Sequence, residues 1–152
     1  MPIRKIATSQ KRILRAVDGA VVAMREPYGR LRRMGHRVVD VEQIEPAGPG
    51  GAVRFVRREL GTRAFGINQF ILEPGFAGPE HDEETTGQEE VYIVVGGGGT
   101  MRVDGASIAL QVGRFVHVDP GTPRQVTAGP EGLVFITVGA PAEKPYEPRG
   151  PF

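Results

Sequence analysis

The feature that most constrains this chain is its punctuation. From Val38 onward, short alternating or β-branched runs are set off every few residues by Gly and Pro clusters, and the 3.6-residue apolar period of a helix is not sustained between them. The pattern predicts nine strands, over residues 38–44, 53–58, 65–73, 89–95, 100–104, 107–112, 114–118, 124–128 and 133–138. Short strands at this spacing, without helical segments between them, close into a sandwich or a barrel, so the fold class is all-β. Asp104-Gly105 between two alternating runs is a hairpin signal, because a type I′ turn needs positive φ at both central positions. Gly96-Gly97-Gly98-Gly99 is followed neither by Lys-Ser/Thr nor by a helix. It therefore reads as a tight strand connection and not as a phosphate cradle.

Composition removes several function classes. Gly 22 and Pro 13 of 152 residues stay below the roughly 25–30% that marks a low-complexity chain. Apolar runs are only a few residues long, too short for the ~20 that span a bilayer. With no cysteine, disulfides, thiolate zinc sites and thiol nucleophiles are all excluded. The N-terminus lacks the apolar core of a secretory signal, and a cytoplasmic location without membrane attachment is expected. There are only two serines, Ser9 and Ser107, with neither a G-x-S-x-G elbow nor HExxH, so serine-hydrolase and zincin chemistry find no residues to use.

The net charge of +1 hides an asymmetry. Residues 1–40 carry ten Lys and Arg against Asp18, Glu26 and Asp40, whereas the rest of the chain carries nine against fifteen acids. We divide the chain into a basic extension over 1–36, a β-barrel domain over 37–139 and a Pro-rich arm over 140–152. Residues 9–24 could form one short helix through Ile13, Val17 and Val21, interrupted at Gly19. A single helix cannot build a groove-reading bundle, which argues against a nucleic-acid partner. The text from Met34 onward already reads as the start of the β domain, leaving residues 1–33 as an extension or tail.

The residues that carry chemistry lie in two places. The first runs from Pro74 through Gly75, His81 and Glu83 to Glu89-Glu90 and Gly97. On strands, His81 and Glu83 share a face, as do Glu90, Tyr92 and Val94, while Glu89, Val91 and Ile93 take the other. The second runs from Gly113 through Asp119, Gly121 and Arg124 to Ala128. Together they resemble the two motifs of the cupin superfamily, small β-barrels of the jelly-roll type. The first motif, G-x5-H-x-H-x3,4-E-x6-G, matches at Gly75, His81, Glu90 and Gly97, with Glu83 in place of the second histidine. The stretch between Glu83 and Glu90 is longer than the motif allows, which implies a small insertion around Thr85-Thr86-Gly87. Glu89 also has a glycine at the required offset, Gly96, but Glu90 aligns the strand, turn and Asp-Gly hairpin that follow. The second motif, G-x5-P-x-G-x2-H-x3-N, matches at Gly113 and Gly121. Asp119 stands at its proline, Arg124 at its metal-binding histidine and Ala128 at its asparagine.

The resemblance implies a single barrel, a homodimer, and an interior site built on His81, Glu83 and Glu90 as metal ligands. One divalent ion, Fe, Mn, Ni or Zn, is the cofactor it suggests. Arg124 opposes that cofactor, since a guanidinium about 4 Å from a divalent ion costs roughly 8 kcal/mol at an effective dielectric near 20. Three function classes stay open, the third of them a structural or regulatory partner protein whose contacts run through the basic N-terminal arm. In the first, Arg124 replaces the metal's charge, pairs with Glu90, and with Tyr92 and Gln125 lines a pocket for a small anionic ligand. In the second, Arg124 turns away and the chain is a metal-dependent enzyme of the dioxygenase, isomerase or decarboxylase type. His117, sharing a face with Phe115, is expected to be packed or half-exposed and not to ligate; Asn68 and Gln69 are candidate polar lining residues.

Overall fold

The computed structural model describes residues 35–150; the basic extension, with its candidate helix, lies almost wholly outside them. Six strands form one antiparallel network: β1 (Val53–Arg54), β2 (Gly66–Leu72), β3 (Gln88–Val103), β4 (Ala106–Gln111), β5 (Phe115–Val118) and β6 (Arg124–Pro141). The order is β1-β2-β6-β3-β4, with β5 also paired to β3. Among the described residues no helix is long and apolar enough to cross a membrane.

Two long strands replace four short ones. β3 joins the predicted strands 89–95 and 100–104, and β6 joins 124–128 and 133–138. Gly96–Gly99 is therefore a bend inside one strand, not a connection between two. The β3–β6 pairing slips its register between Val94 and Gly96 and again between Gly97 and Gly99, and bulges of this kind turn a ladder sharply. Glycine is required there for contact reasons. A Cβ on Gly97 would lie 2.2 Å from the Gly132 carbonyl oxygen, and one on Gly99 would lie 2.2 Å from that of Thr127.

The bend gives the ribbon two halves. Gln88–Val94 of β3 pairs with residues 135–141 of β6, β2 and β5 flank it, and further along, residues 98–103 are flanked by β4 and the start of β6. Residues 76–81 run beside β6 as an irregular edge, through bridges at Ala77/Thr127 and His81/Arg124. Inward positions of both halves supply the core: Leu72, Tyr92, Val94, Met101, Leu110, Val118, Val126, Leu133 and Phe135 are all buried. Phe70 stacks on Phe135 at 4.9 Å between ring centroids, and Tyr92 leans on Phe135 at 5.7 Å. The Asp104-Gly105 hairpin forms as expected, with φ of 46° and 78°.

Two expected strands fail. Residues 38–44 carry only a 3-10 turn, Val41–Gln43, closed by the Gln43 and Ile44 amides on the Asp40 and Val41 carbonyls. Pro46 follows at once, and no strand pairs with this stretch. Within 53–58, pairing stops at Arg54 and a five-residue helix, Val56–Leu60, takes over. Gly61 ends it in the left-handed region and donates to the Arg57 carbonyl, a helix stop visible in the Arg-Glu-Leu-Gly text. At the other end, β6 continues to Pro141, two residues into the predicted arm.

The bend yields a direct test. Gly99→Ala should lower stability by about 1–3 kcal/mol, the usual range for overpacking a filled interior. Gly121→Ala, where a Cβ meets nothing within 4 Å, should be near neutral. Urea midpoints of the two variants measure the difference.

Candidate functional site

Glu90 opens β3 and Arg124 opens β6, and the bend brings these ends together across the interior. Arg124 is 0% exposed. Its Nη2 donates to Glu90 Oε2 at 2.6 Å, its Nε to the Tyr92 hydroxyl at 3.2 Å and its Nη1 to the Thr122 carbonyl at 3.2 Å. Tyr92, 3% exposed, donates its own hydroxyl to the same Glu90 oxygen at 2.8 Å. All three guanidinium nitrogens thus have protein acceptors, and one carboxylate oxygen takes two donors.

The charges settle the protonation states of this triad. Burial first, and then the Glu90 carboxylate, push the Tyr92 phenol well above its ordinary range, against the pull of the Arg124 hydrogen bond. Desolvation alone would lower the Arg124 pKa, but hydrogen bonds to Tyr92 and Glu90, together with their charges, reverse this and hold it raised. Tyr92 is held as a neutral phenol and Arg124 as a cation.

His81 and Glu83 stand at the mouth beside it. His81 is fixed by reciprocal backbone hydrogen bonds with Arg124, at 3.1 and 2.9 Å, so the edge strand itself sets its position. Its Nδ1 donates to the Pro79 carbonyl at 3.3 Å, leaving Nε2 as the lone pair. The Glu83 amide donates to the Pro120 carbonyl at 2.7 Å, and its carboxylate accepts from the Thr86 hydroxyl. The expected insertion is the turn at 84–87, closed by the Gly87 amide on the Glu83 carbonyl at 2.8 Å. One ligand atom from each of His81, Glu83 and Glu90 lies within 4.8 Å of the others, which is close enough to share a metal ion.

Those residues nevertheless do not fit a divalent ion as the site stands. An ion on Glu90 would sit about 2.1 Å from its oxygen. Arg124 Nη2 is already 2.6 Å from Oε2 of that carboxylate. At a separation of about 4 Å the repulsion of roughly 8 kcal/mol is comparable with the ~10–16 kcal/mol that a tight structural zinc site gains. The tethered guanidinium supplies the positive charge that a metal would bring.

Other expected site residues fall elsewhere. Gln125 lies on the opposite face of β6 from Arg124, because strand side chains alternate, and its amide donates to the Gly78 carbonyl at 2.9 Å. It does not line the interior with Arg124. Glu89 also takes the outer face, where its carboxylate meets His117 Nε2 at 3.1 Å, so Glu90 is the acid of the interior. His117 is half-exposed, as expected, beside the exposed Phe115. Asn68 faces inward with Phe70 and Leu72, and its buried Oδ1 has no hydrogen-bond partner. That vacancy was invisible in the sequence, since it depends on what Thr137 and Tyr92 place opposite.

Removing one partner of the pair should strand the other. Glu90→Gln is expected to cost about 3 kcal/mol, as for an uncompensated buried charge, and Glu90→Gln/Arg124→Met should recover most of it. Alkaline titration tests Tyr92. Its folded pKa exceeds its unfolded one, so stability is unaffected while both forms stay protonated and falls above about pH 10, where the unfolded chain ionises first. The fall should be shallower in Tyr92→Phe, measured by denaturant unfolding between pH 8 and 11.

Comparison with known proteins agrees with this architecture. The cupin-domain family profile matches residues 68–139. A cupin protein from Bacteroides fragilis superposes with a TM-score of 0.65 at 20% identity, covering 77% of this chain and 93% of that one. A predicted oxalate decarboxylase from Thermotoga maritima gives 0.58 at 21% identity, with coverage of 68% and 98%. A conserved protein with a double-stranded β-helix domain from Klebsiella pneumoniae gives 0.56 at 21%, with coverage of 69% and 90%. At these identities the structures speak for the fold alone. No curated protein sequence matches the chain. The profile match identifies residues 68–139, from within β2 to near the end of β6, as a cupin domain.

Proposed function

We propose that this cupin domain binds a small organic molecule at the mouth of its barrel without a metal ion in the interior. The observation that carries the reading is Arg124, fully buried and ion-paired to Glu90 at the position where the family motif has a metal-binding histidine. Its permanent charge fixes Glu90 and Tyr92 and needs no cofactor to do so.

The ligand's polarity follows from what faces outward. An anionic ligand requires a cation within reach, and Arg124 has no exposed surface and is already opposed by Glu90. Accessible groups at the mouth are His81, with Nε2 as an acceptor, and the partly buried carboxylates of Glu83 and Glu90. A molecule that donates hydrogen bonds, a polyol or an amine, complements such a surface. The metal-dependent enzyme remains the second reading, on the mutual proximity of His81, Glu83 and Glu90, and it requires Arg124 to leave the interior.

A thermal-shift panel of sugars, polyols, amines and carboxylates discriminates among these. Stabilisation is expected from a donor-rich compound and should be weakened in Glu83→Gln, with carboxylates inert. Stabilisation by carboxylates that disappears in Arg124→Met would overturn the polarity argument. Bound metal that is lost in His81→Ala would establish the enzyme reading instead.

A further inference from the structure

Glu89 and Glu90 point to opposite faces of β3, and each meets a histidine and a second carboxylate. On the inner face these are His81 and Glu83; on the outer face they are His117 and Asp119. We propose that the outer set, Glu89, His117 and Asp119, is a divalent-metal site of the zinc class, separate from the barrel interior and independent of the function proposed above.

The geometry comes from the sheet. β3 and β5 pair antiparallel with Val91 opposite His117 and Glu90 opposite Val118, and one more step along the same register sets Glu89 beside Asp119. Two carboxylates facing each other across a ladder repel and destabilise the pairing unless a positive charge lies between them. His117 Nε2 sits between them, 3.1 Å from Glu89 Oε2 and 3.9 Å from Asp119 Oδ1. Donors on a tetrahedral zinc with bonds of about 2.0–2.2 Å lie roughly 3.3 Å apart. The Glu89–His117 separation already fits, the exposed Asp119 carboxylate lies 3.9 Å from the same imidazole nitrogen, and all three ligand atoms lie within 4.8 Å of one another.

Charge separates the two faces. A guanidinium sits on the inner carboxylate, whereas among the described residues His117 is the sole basic group within 4 Å of Glu89 or Asp119. Two carboxylates and one imidazole form a set of donors that a divalent ion can draw together. One imidazole with two carboxylates suits zinc and its neighbours better than calcium or magnesium, which prefer all-oxygen shells. Two of the three ligands stand on paired strands, so little ordering is needed on binding.

Titration of the full-length protein with Zn(II), followed calorimetrically, tests the site. About one ion per chain is expected, with binding weakened at least about tenfold in His117→Ala and unchanged in His81→Ala. Both histidines are exposed, so neither substitution threatens the core. Substitution of Co(II) should give visible absorption bands that change in Asp119→Asn. Absence of binding, or binding indifferent to His117, would overturn the proposal; loss in His81→Ala would place the ion in the interior instead.

Discussion

A fully buried arginine is the constraint around which this barrel is arranged. A guanidinium out of water is tolerated only with an opposing charge and satisfied donors. Arg124 finds both in Glu90, Tyr92 and the Thr122 carbonyl. Glu90 and Arg124 are 34 positions apart and lie on different strands, so the pair exists only if β3 and β6 bend together. The glycines at 97 and 99 make that bend possible by letting two backbones approach where any Cβ would collide with a carbonyl oxygen. The site is therefore a consequence of the bend, and a fault in the ribbon would be felt first as an unpaired charge.

The ion pair also explains why the interior differs in kind from a metal centre made of similar residues. A metal organises its ligands by coordination and can be exchanged or removed. A tethered guanidinium holds one carboxylate and one phenol in place permanently, by hydrogen bonds whose directions are fixed by the planar fork. It brings no open coordination position and no redox chemistry. Beside it, His81 and Glu83 keep their own backbone anchors on the edge strand and the turn that follows.

Much of this was legible in the sequence, and the failures share a cause. The hairpin at Asp104-Gly105 followed from turn chemistry, which acts over a few residues, and the preference for Glu90 from the alignment of its strand and hairpin with the cupin motif. The four-glycine run was misread as a connection because its role is set by the Gly132 and Thr127 carbonyls of another strand. Residues 38–44 have the composition of a strand but pair with no strand among the described residues. Gln125 follows Arg124 immediately, and strand alternation sends it to the other face, away from Arg124. That Arg124 is buried and paired could not be read from its residue type, because its counter-charge, Glu90, comes from another strand.

Adjacent glutamates on one strand bring out this dependence on context. Glu89 and Glu90 have the same chemistry, glycines at the same offset, and a histidine and an acid within reach. Pleating sends one into the barrel and the other to solvent, and the difference in their surroundings then decides what each can hold. Inside, the low dielectric makes an unbalanced carboxylate costly, so the counter-charge is covalently attached and never leaves. Outside, water screens the two carboxylates well enough for the sheet to form with only His117 between them, and the remaining negative charge stays available. Arg124 serves the structural charge inside, whereas the carboxylates of the outer face stay exposed, and pleating separates the two environments by a single residue.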